Sequence, residues 1–274
     1  MALRIGRKSN PGVEGQVSRR GILKRGALWG ALVAFGSAFN LVPAMGKAQA
    51  ASSQNKLTIT PVQGTQADEY IHTVLTSQGF KDFQKLAESK NALALQGNQP
   101  VVNHVSQGQT DFVYVSNSIR RGDEYSTYTA FFQPGSFTPT QVTGYLFVLV
   151  PGQSNMDVTG IRDGKEVSHI VMTPEGKILQ GEMIDADGKQ VVLDGLDLSK
   201  QNSTSGASPA ACCNWCCMNN CFNSIGNIPN GVLWTAGLLC ASACLVAPAC
   251  VICILALGTI TGTATALCDA NCCF

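Results

Sequence analysis

All twelve cysteines of this 274-residue chain lie in its last quarter. None occurs before residue 212, and five of them fall within the stretch CCNWCCMNNC. Thiols at this density can form disulfides, bind a metal or an iron–sulfur cluster, or exchange electrons. The three clusters are Cys212, Cys213, Cys216, Cys217 and Cys221; Cys240, Cys244, Cys250 and Cys253; and Cys268, Cys272 and Cys273.

Composition favours six disulfides over the two other chemistries. An even number of cysteines in a short segment is typical of a cross-linked scaffold that is too small to rely on a core alone. Cys213 with Cys216, and Cys250 with Cys253, do have the CxxC spacing of metal and cluster sites. Thiolate sites are anionic, however, and residues 201–274 contain no Lys, Arg or His to balance them. The apolar run around the second pair also disfavours the thiolate that a redox-active pair requires.

The first cysteine cluster is predicted to occupy one half of a short helix. At about 100° per residue, Cys213, Cys217 and Cys221 form one stripe, and Cys212 and Cys216 form the neighbouring one. Cysteines one turn apart lie about 5–6 Å from each other between Cβ atoms, whereas a disulfide needs about 3.8 Å. These cysteines must therefore pair with the later clusters, which makes the tail a small all-α disulfide-rich helical bundle. Which cysteine pairs with which stays open.

A charge-free apolar run, residues 231–267, lies between the first and last cysteine clusters. A membrane anchor is one interpretation, because about twenty apolar residues span a bilayer. No Lys or Arg flanks the run to set its topology, and Pro248 divides it into two helices that each carry a cysteine pair. We therefore favour a hairpin of two apolar helices, cross-linked by disulfides, that can insert into a membrane on meeting lipid.

The distribution of charge divides the chain into differently built segments. Net charges are +7 for residues 1–50, −5 for residues 51–200 and −1 for residues 201–274. The predicted units are a twin-arginine signal peptide at 1–50, an acidic α+β domain at 51–198, a flexible linker at 199–211 and a cysteine-rich apolar domain at 212–274. The linker is small, polar and turn-rich, so we expect it to be accessible to a processing protease.

The basic N-terminal segment has the features of an export signal. SRRGILK places Arg19 and Arg20 before an apolar Gly- and Ala-rich run, and Ala48 and Ala50 occupy the positions expected for cleavage. A basic amphipathic helix or an anchor is the alternative. The short run with its small-x-small ending favours secretion of the folded protein by the twin-arginine translocase into a compartment where disulfides persist.

The acidic domain is predicted to contain two short helices followed by an antiparallel β-meander. Apolar residues at helical spacing in residues 65–90 indicate two amphipathic helices broken at Gly79. The stretches DFVYVS, YTAFF and GYLFVLV predict strands. The motifs RDGK, PEGK and ADGK then recur every twelve residues and predict the turns between further strands.

No catalytic arrangement is recognisable in the acidic domain, so we do not expect an enzyme. The histidines, His72, His104 and His169, are scattered, and phosphate-binding, nucleophile-elbow and metal-binding motifs are lacking. RGD at 121–123 is interpreted as a solvated turn. An acidic domain without a basic face argues against nucleic acid, and no cofactor is predicted. The domain is left with a role in binding, in folding assistance or in solubilising the tail.

The segments that carry SRRGILK, the linker NSTSGASPAA and the tail from CCNWCCMNNC to CDANCCF resemble the precursors of cysteine-rich microhalocins, the halocin C-eight-like bacteriocins. In that family the exported precursor is cleaved, the tail becomes a membrane-active antimicrobial peptide, and the upstream part protects the producer. The resemblance implies a toxin at about 208–274, a target-cell membrane as its partner, and a middle domain that acts as immunity or masking partner. Two alternatives are an exported redox or cluster-binding envelope protein and an envelope protein anchored by its tail.

Six disulfides have a direct consequence for the mass of the exported protein. We expect the reduced form to be twelve hydrogens heavier than the oxidised form, because all twelve cysteines are paired. Mass spectrometry with and without reduction measures this difference. A smaller difference, or a bound metal in the native protein, would contradict the disulfide interpretation.

Overall fold

The computed structural model describes residues 58–107, 110–184 and 188–198, together with Cys221, Val232, Leu233 and Thr235 in the tail. The described part of the middle domain has two helices and nine strands. In chain order they are β1 (Thr58–Pro61), α1 (Thr65–Thr76), α2 (Gln78–Ser89), β2 (Val101–Gln107), β3 (Thr110–Arg121), β4 (Glu124–Phe132), β5 (Pro139–Leu149), β6 (Met156–Arg162), β7 (Lys165–Met172), β8 (Ile178–Ile184) and β9 (Gln190–Val192). No helix in these ranges is long and apolar enough to cross a bilayer.

The strands form one antiparallel sheet in which each strand pairs with its neighbours in the sequence, from β1 to β9. The two helices and the antiparallel meander confirm that part of the predicted fold class. The stretch DFVYVS lies within β3 and YTAFF lies within β4. The first six residues of GYLFVLV form the second half of β5. The sheet is larger than predicted, because β1 and β2 also belong to it.

Two of the three predicted turn motifs, RDGK and PEGK, form turns of the meander, whereas Ala186 and Asp187 of ADGK lie outside the described residues. Asp163 and Gly164 have φ values of 48° and 78° between β6 and β7, and the pair of positive values is the geometry of a tight two-residue hairpin. Gly176, between β7 and β8, has a φ of 88°. Glycine is favoured there because a side chain would strain the left-handed backbone.

The break between the helices falls at Ser77, so the predicted break at Gly79 is wrong. Ser77 has extended backbone angles, and its side-chain oxygen accepts a hydrogen bond from the backbone N–H of Phe80 at 3.1 Å, which caps α2. Gly79 lies inside α2, where an added Cβ would come within 2.9 Å of the Tyr128 hydroxyl oxygen. This glycine therefore permits close packing of the helix on the sheet.

Both helices pack on one side of the sheet, which we call the near face. Phe80 and Phe83 of α2 each place their rings 5.2 Å from the ring of Tyr128 on β4. Tyr70 of α1 lies 4.9 Å from the ring of Phe132, also on β4. These side chains belong to one buried core cluster, which also includes Val113, Val115 and Leu146 of β3 and β5. Burial of such rings supplies most of the attraction between helix and sheet.

The contact between α2 and β5 leaves no room for a side chain at Gly144. An added Cβ would lie 2.5 and 2.7 Å from two ring carbons of Phe83. We expect Gly144→Ala to lower the free energy of unfolding by about 1–3 kcal/mol through overpacking. Urea denaturation of the purified chain measures the change.

A matched double variant tests the cause of that loss. Phe83→Leu removes the ring that the new methyl group would meet. The double variant should therefore lose less stability than the sum of the two single variants. Simple additivity would show that the ring contact is not what excludes alanine.

Candidate functional site

Alternation along the strands gives the sheet a second face, which points away from α1 and α2 and is here called the far face. It remains buried across seven consecutive strands, β2 to β8. Taking one residue from each strand, the exposed fraction is at most 2% for Val105, Tyr114, Phe131, Phe147, Val158, Ile170 and Met183. The strand register places these side chains on one side of the sheet. The far face is thus a continuous surface that is removed from water.

The near face is buried where the helices and the segment around Leu95, which follows α2, lie on it. Beyond β6, near-face residues are partly or fully exposed, as at His169 and Val171 of β7, Glu182 of β8 and Val192 of β9. The far-face residues of the same strands, Ile170 and Met183, remain buried. The burial of the far face therefore has a different cause from that of the near face.

The buried surface of the far face is neutral. It combines aromatic and methionine side chains with hydroxyl and amide groups. Thr129 donates a hydrogen bond from Oγ1 to Ser116 Oγ at 3.1 Å, and Asn103 donates from Nδ2 to the Tyr114 hydroxyl at 3.0 Å. Polar groups paired within the sheet can be buried at little cost, whereas charges cannot. This face is suited to an apolar, uncharged occupant.

The tyrosines report how dry the two faces are. Burial raises the pKa of Tyr114, Tyr125 and Tyr145 on the far face above the ordinary value of 10.0. On the near face, burial raises the pKa of Tyr128 to about 12. Removing a phenol from water disfavours its ionised form, so these four side chains resist ionisation at alkaline pH.

The histidines do not form a common site. His72 is exposed on α1, His104 Nε2 lies 2.5 Å from Asp111 Oδ1, and His169 Nε2 lies 3.1 Å from Asp157 Oδ1. Among the described residues, no group of three or more His, Cys, Asp or Glu side chains could hold a metal ion. In the RGD string, Arg121 ends β3 and Gly122 and Asp123 form the turn to β4, and all three residues are exposed, as predicted for a solvated turn.

The structure describes little of the sequence-predicted site in the tail. Cys221 is helical, half-buried and disulfide-bonded. Val232, Leu233 and Thr235 are helical and buried, with exposed fractions of 1%, 5% and 0%. The other predicted site residues lie outside the described ranges: Arg19, Arg20, Ala48, Ala50, Cys212, Cys213, Cys216, Cys217, Cys240, Cys244, Cys250, Cys253, Cys268, Cys272 and Cys273.

The comparisons with known proteins identify no relative. No family model matches the chain, and no curated protein or solved structure matches it either.

The burial of the far face was not predicted from the sequence, although the sequence contains a signal for it. The stretches YTAFF and GYLFVLV lack the polar alternation of a strand with one wet face, and such runs are typical of strands covered on both sides.

The buried tyrosines predict a loss of stability at alkaline pH. In the unfolded chain these phenols ionise near pH 10, whereas in the folded chain Tyr128 stays neutral up to about pH 12 and the far-face tyrosines resist ionisation too. The stabilisation is complete below pH 10 and is lost as the pH rises from there towards the folded values. The slope is about 1.4 kcal/mol per pH unit for each such tyrosine.

Tyrosinate absorbance and circular dichroism measure this effect together. All five tyrosines of the chain lie between residues 70 and 145, so the absorbance reports the middle domain alone. Ionisation of Tyr114, Tyr125, Tyr128 and Tyr145 should coincide with unfolding, and Tyr128→Phe should make the loss of stability less steep. Normal ionisation near pH 10 in a chain that is still folded would contradict the prediction.

Proposed function

We propose that this chain is an exported bacteriocin precursor. Its C-terminal part, from about residue 208 to 274, is the antimicrobial peptide and kills competitors by inserting into and permeabilising their membrane. The middle domain, residues 51 to about 198, is the immunity or masking region. The twin-arginine signal delivers the folded precursor, and a processing protease releases the peptide at the linker. The precursor is secreted and is not an enzyme.

The composition of the tail is the single observation that carries this proposal. Residues 201–274 combine twelve cysteines with one charged side chain, Asp269. A water-soluble domain normally depends on charged side chains to cover its surface, whereas a segment held by disulfides can stay compact without them. A compact, apolar and nearly uncharged peptide is suited to lipid.

The proposed fold of the peptide is a small all-α bundle with six disulfides. The disulfide at Cys221 supports this choice over a metal or cluster site, because a cysteine in a disulfide is not available as a thiolate ligand. The helical state of Val232, Leu233 and Thr235 supports helices in the apolar run.

Growth inhibition by the purified peptide tests the function. Oxidised peptide 208–274, spotted on lawns of a broad panel of related strains, should produce clear zones and should release dye from lipid vesicles. The same peptide after reduction and alkylation is the matched control. It should be inactive, because without its cross-links it loses the compact helical hairpin.

Export is tested in the producing cell. The double variant Arg19→Lys, Arg20→Lys keeps the charge of the signal but removes the arginine pair. It should abolish the antimicrobial activity of the culture medium while the precursor accumulates inside the cell.

For the test with purified peptide, an oxidised peptide that inhibits no strain of the panel would leave the proposed function without support.

A further inference from the structure

We infer that the far face of the sheet is the binding surface for the chain's own apolar run, residues 231–267. The inference deepens the proposed function, because it says how the middle domain would keep a membrane-active segment away from lipid before processing. The occupant is defined by its chemistry: an uncharged, apolar segment of the same chain that is predicted to be helical.

The side chains of the far face are buried although α1 and α2 do not lie on that side of the sheet. Phe131 of β4, Phe147 of β5 and Ile170 of β7 each have an exposed fraction of 0%. Both α1 and α2 place their buried side chains in the core cluster of the near face. The side chains on the far face therefore owe their burial to something other than these two helices.

The apolar run of the tail needs a partner that shields it from water. Val232, Leu233 and Thr235 lie within one helical turn and are nearly inaccessible to water. An isolated amphipathic hairpin buries one stripe of each helix, but the run 231–267 is uncharged on every side. A helix that is apolar all round is stable in water only when it is enclosed.

The far face and the apolar run are chemically complementary. The buried far face offers rings, hydroxyl groups and the flexible thioethers of Met156, Met172 and Met183, which adapt well to irregular apolar surfaces. Arg120 and Arg162, which share this side of the sheet, lie at the ends of their strands. An uncharged helix on this surface would leave no charge buried and unpaired.

The dimensions agree as well. Seven strands at about 4.8 Å span roughly 29 Å, and two helices of about 10 Å each would cover about two thirds of that width. From Leu198 to residue 231 the chain can extend over roughly 100 Å, which is ample for the tail to reach the sheet.

The methionines provide a test that hardly disturbs the protein. Beyond residue 50, Met218 is the only methionine besides the three on the far face, Met156, Met172 and Met183. The full chain carrying Met218→Leu would be produced with a photoreactive diazirine analogue of methionine, which is nearly the same size. After illumination, peptide mapping assigns each cross-link to its methionine. We expect cross-links from the far face to residues 231–267 within one chain.

The matched control moves the probe to the opposite face of the same strand. Val171 is next to Met172 on β7 but lies on the near face and is partly exposed. The variant Val171→Met, with Met156, Met172, Met183 and Met218 replaced by Leu, should lose the cross-link to the tail. Met-to-Leu changes conserve volume and are usually tolerated, and circular dichroism checks that the fold is kept.

Two results would overturn the inference. Cross-links that join only strands of the sheet would show that the far face is covered by the sheet itself. Cross-links between two copies of the chain would show that a second molecule covers it.

Proteolysis in the linker gives a second readout, which is whether the cleaved tail still co-elutes with the middle domain, as we expect. All cysteines lie after residue 211, so no disulfide can hold the tail to the sheet once the linker is cut, and co-elution must reflect non-covalent binding.

Failure of this inference can be told apart from failure of the proposed function. A tail that kills cells but does not cross-link to the far face removes the docking surface and leaves the bacteriocin. A tail that cross-links but never inhibits growth retains the docking surface and removes the bacteriocin.

Discussion

Both faces of a single antiparallel sheet are buried in this protein. An antiparallel sheet commonly leaves one face in water and alternates apolar with polar residues. Here β4 is buried along nearly its whole length, on the near face beneath α1 and α2 and on the far face away from them. The near face explains how the domain holds together. The far face is the candidate binding surface, because its side chains are buried although α1 and α2 pack on the opposite side of the sheet.

The neutral character of the far face links the fold to the rest of the chain. The middle domain carries all but one of the acidic residues beyond residue 50, and they lie mainly in turns, on the helices and on exposed strand positions. Its charge thus faces water, while the tyrosines and methionines form a dry surface. The tail has the opposite problem, since it has almost no charge with which to face water. The middle domain combines a charged exterior with a neutral apolar face, whereas the tail lacks the charge that would keep it in water.

Local patterns predicted the parts of the fold that depend on neighbouring residues. The meander was predictable because Asp163 and Gly164 require a turn whatever surrounds them. The break between the helices was misplaced, because Gly79 is small for the sake of Tyr128, a contact that only the tertiary structure reveals. β1 and β2 were missed, since Pro61, Asn103 and His104 interrupt the apolar pattern of those strands. The far face depends on the register of seven strands at once, so no local window of the sequence contains it.

The order of the strands has a consequence for the newly made chain. Because every strand pairs with its neighbour in the sequence, the sheet can grow one hairpin at a time as the polypeptide leaves the ribosome. Residues 58–198 emerge before the first cysteine does. The surface that we propose as the binding site for residues 231–267 can thus be complete before that apolar segment is synthesised.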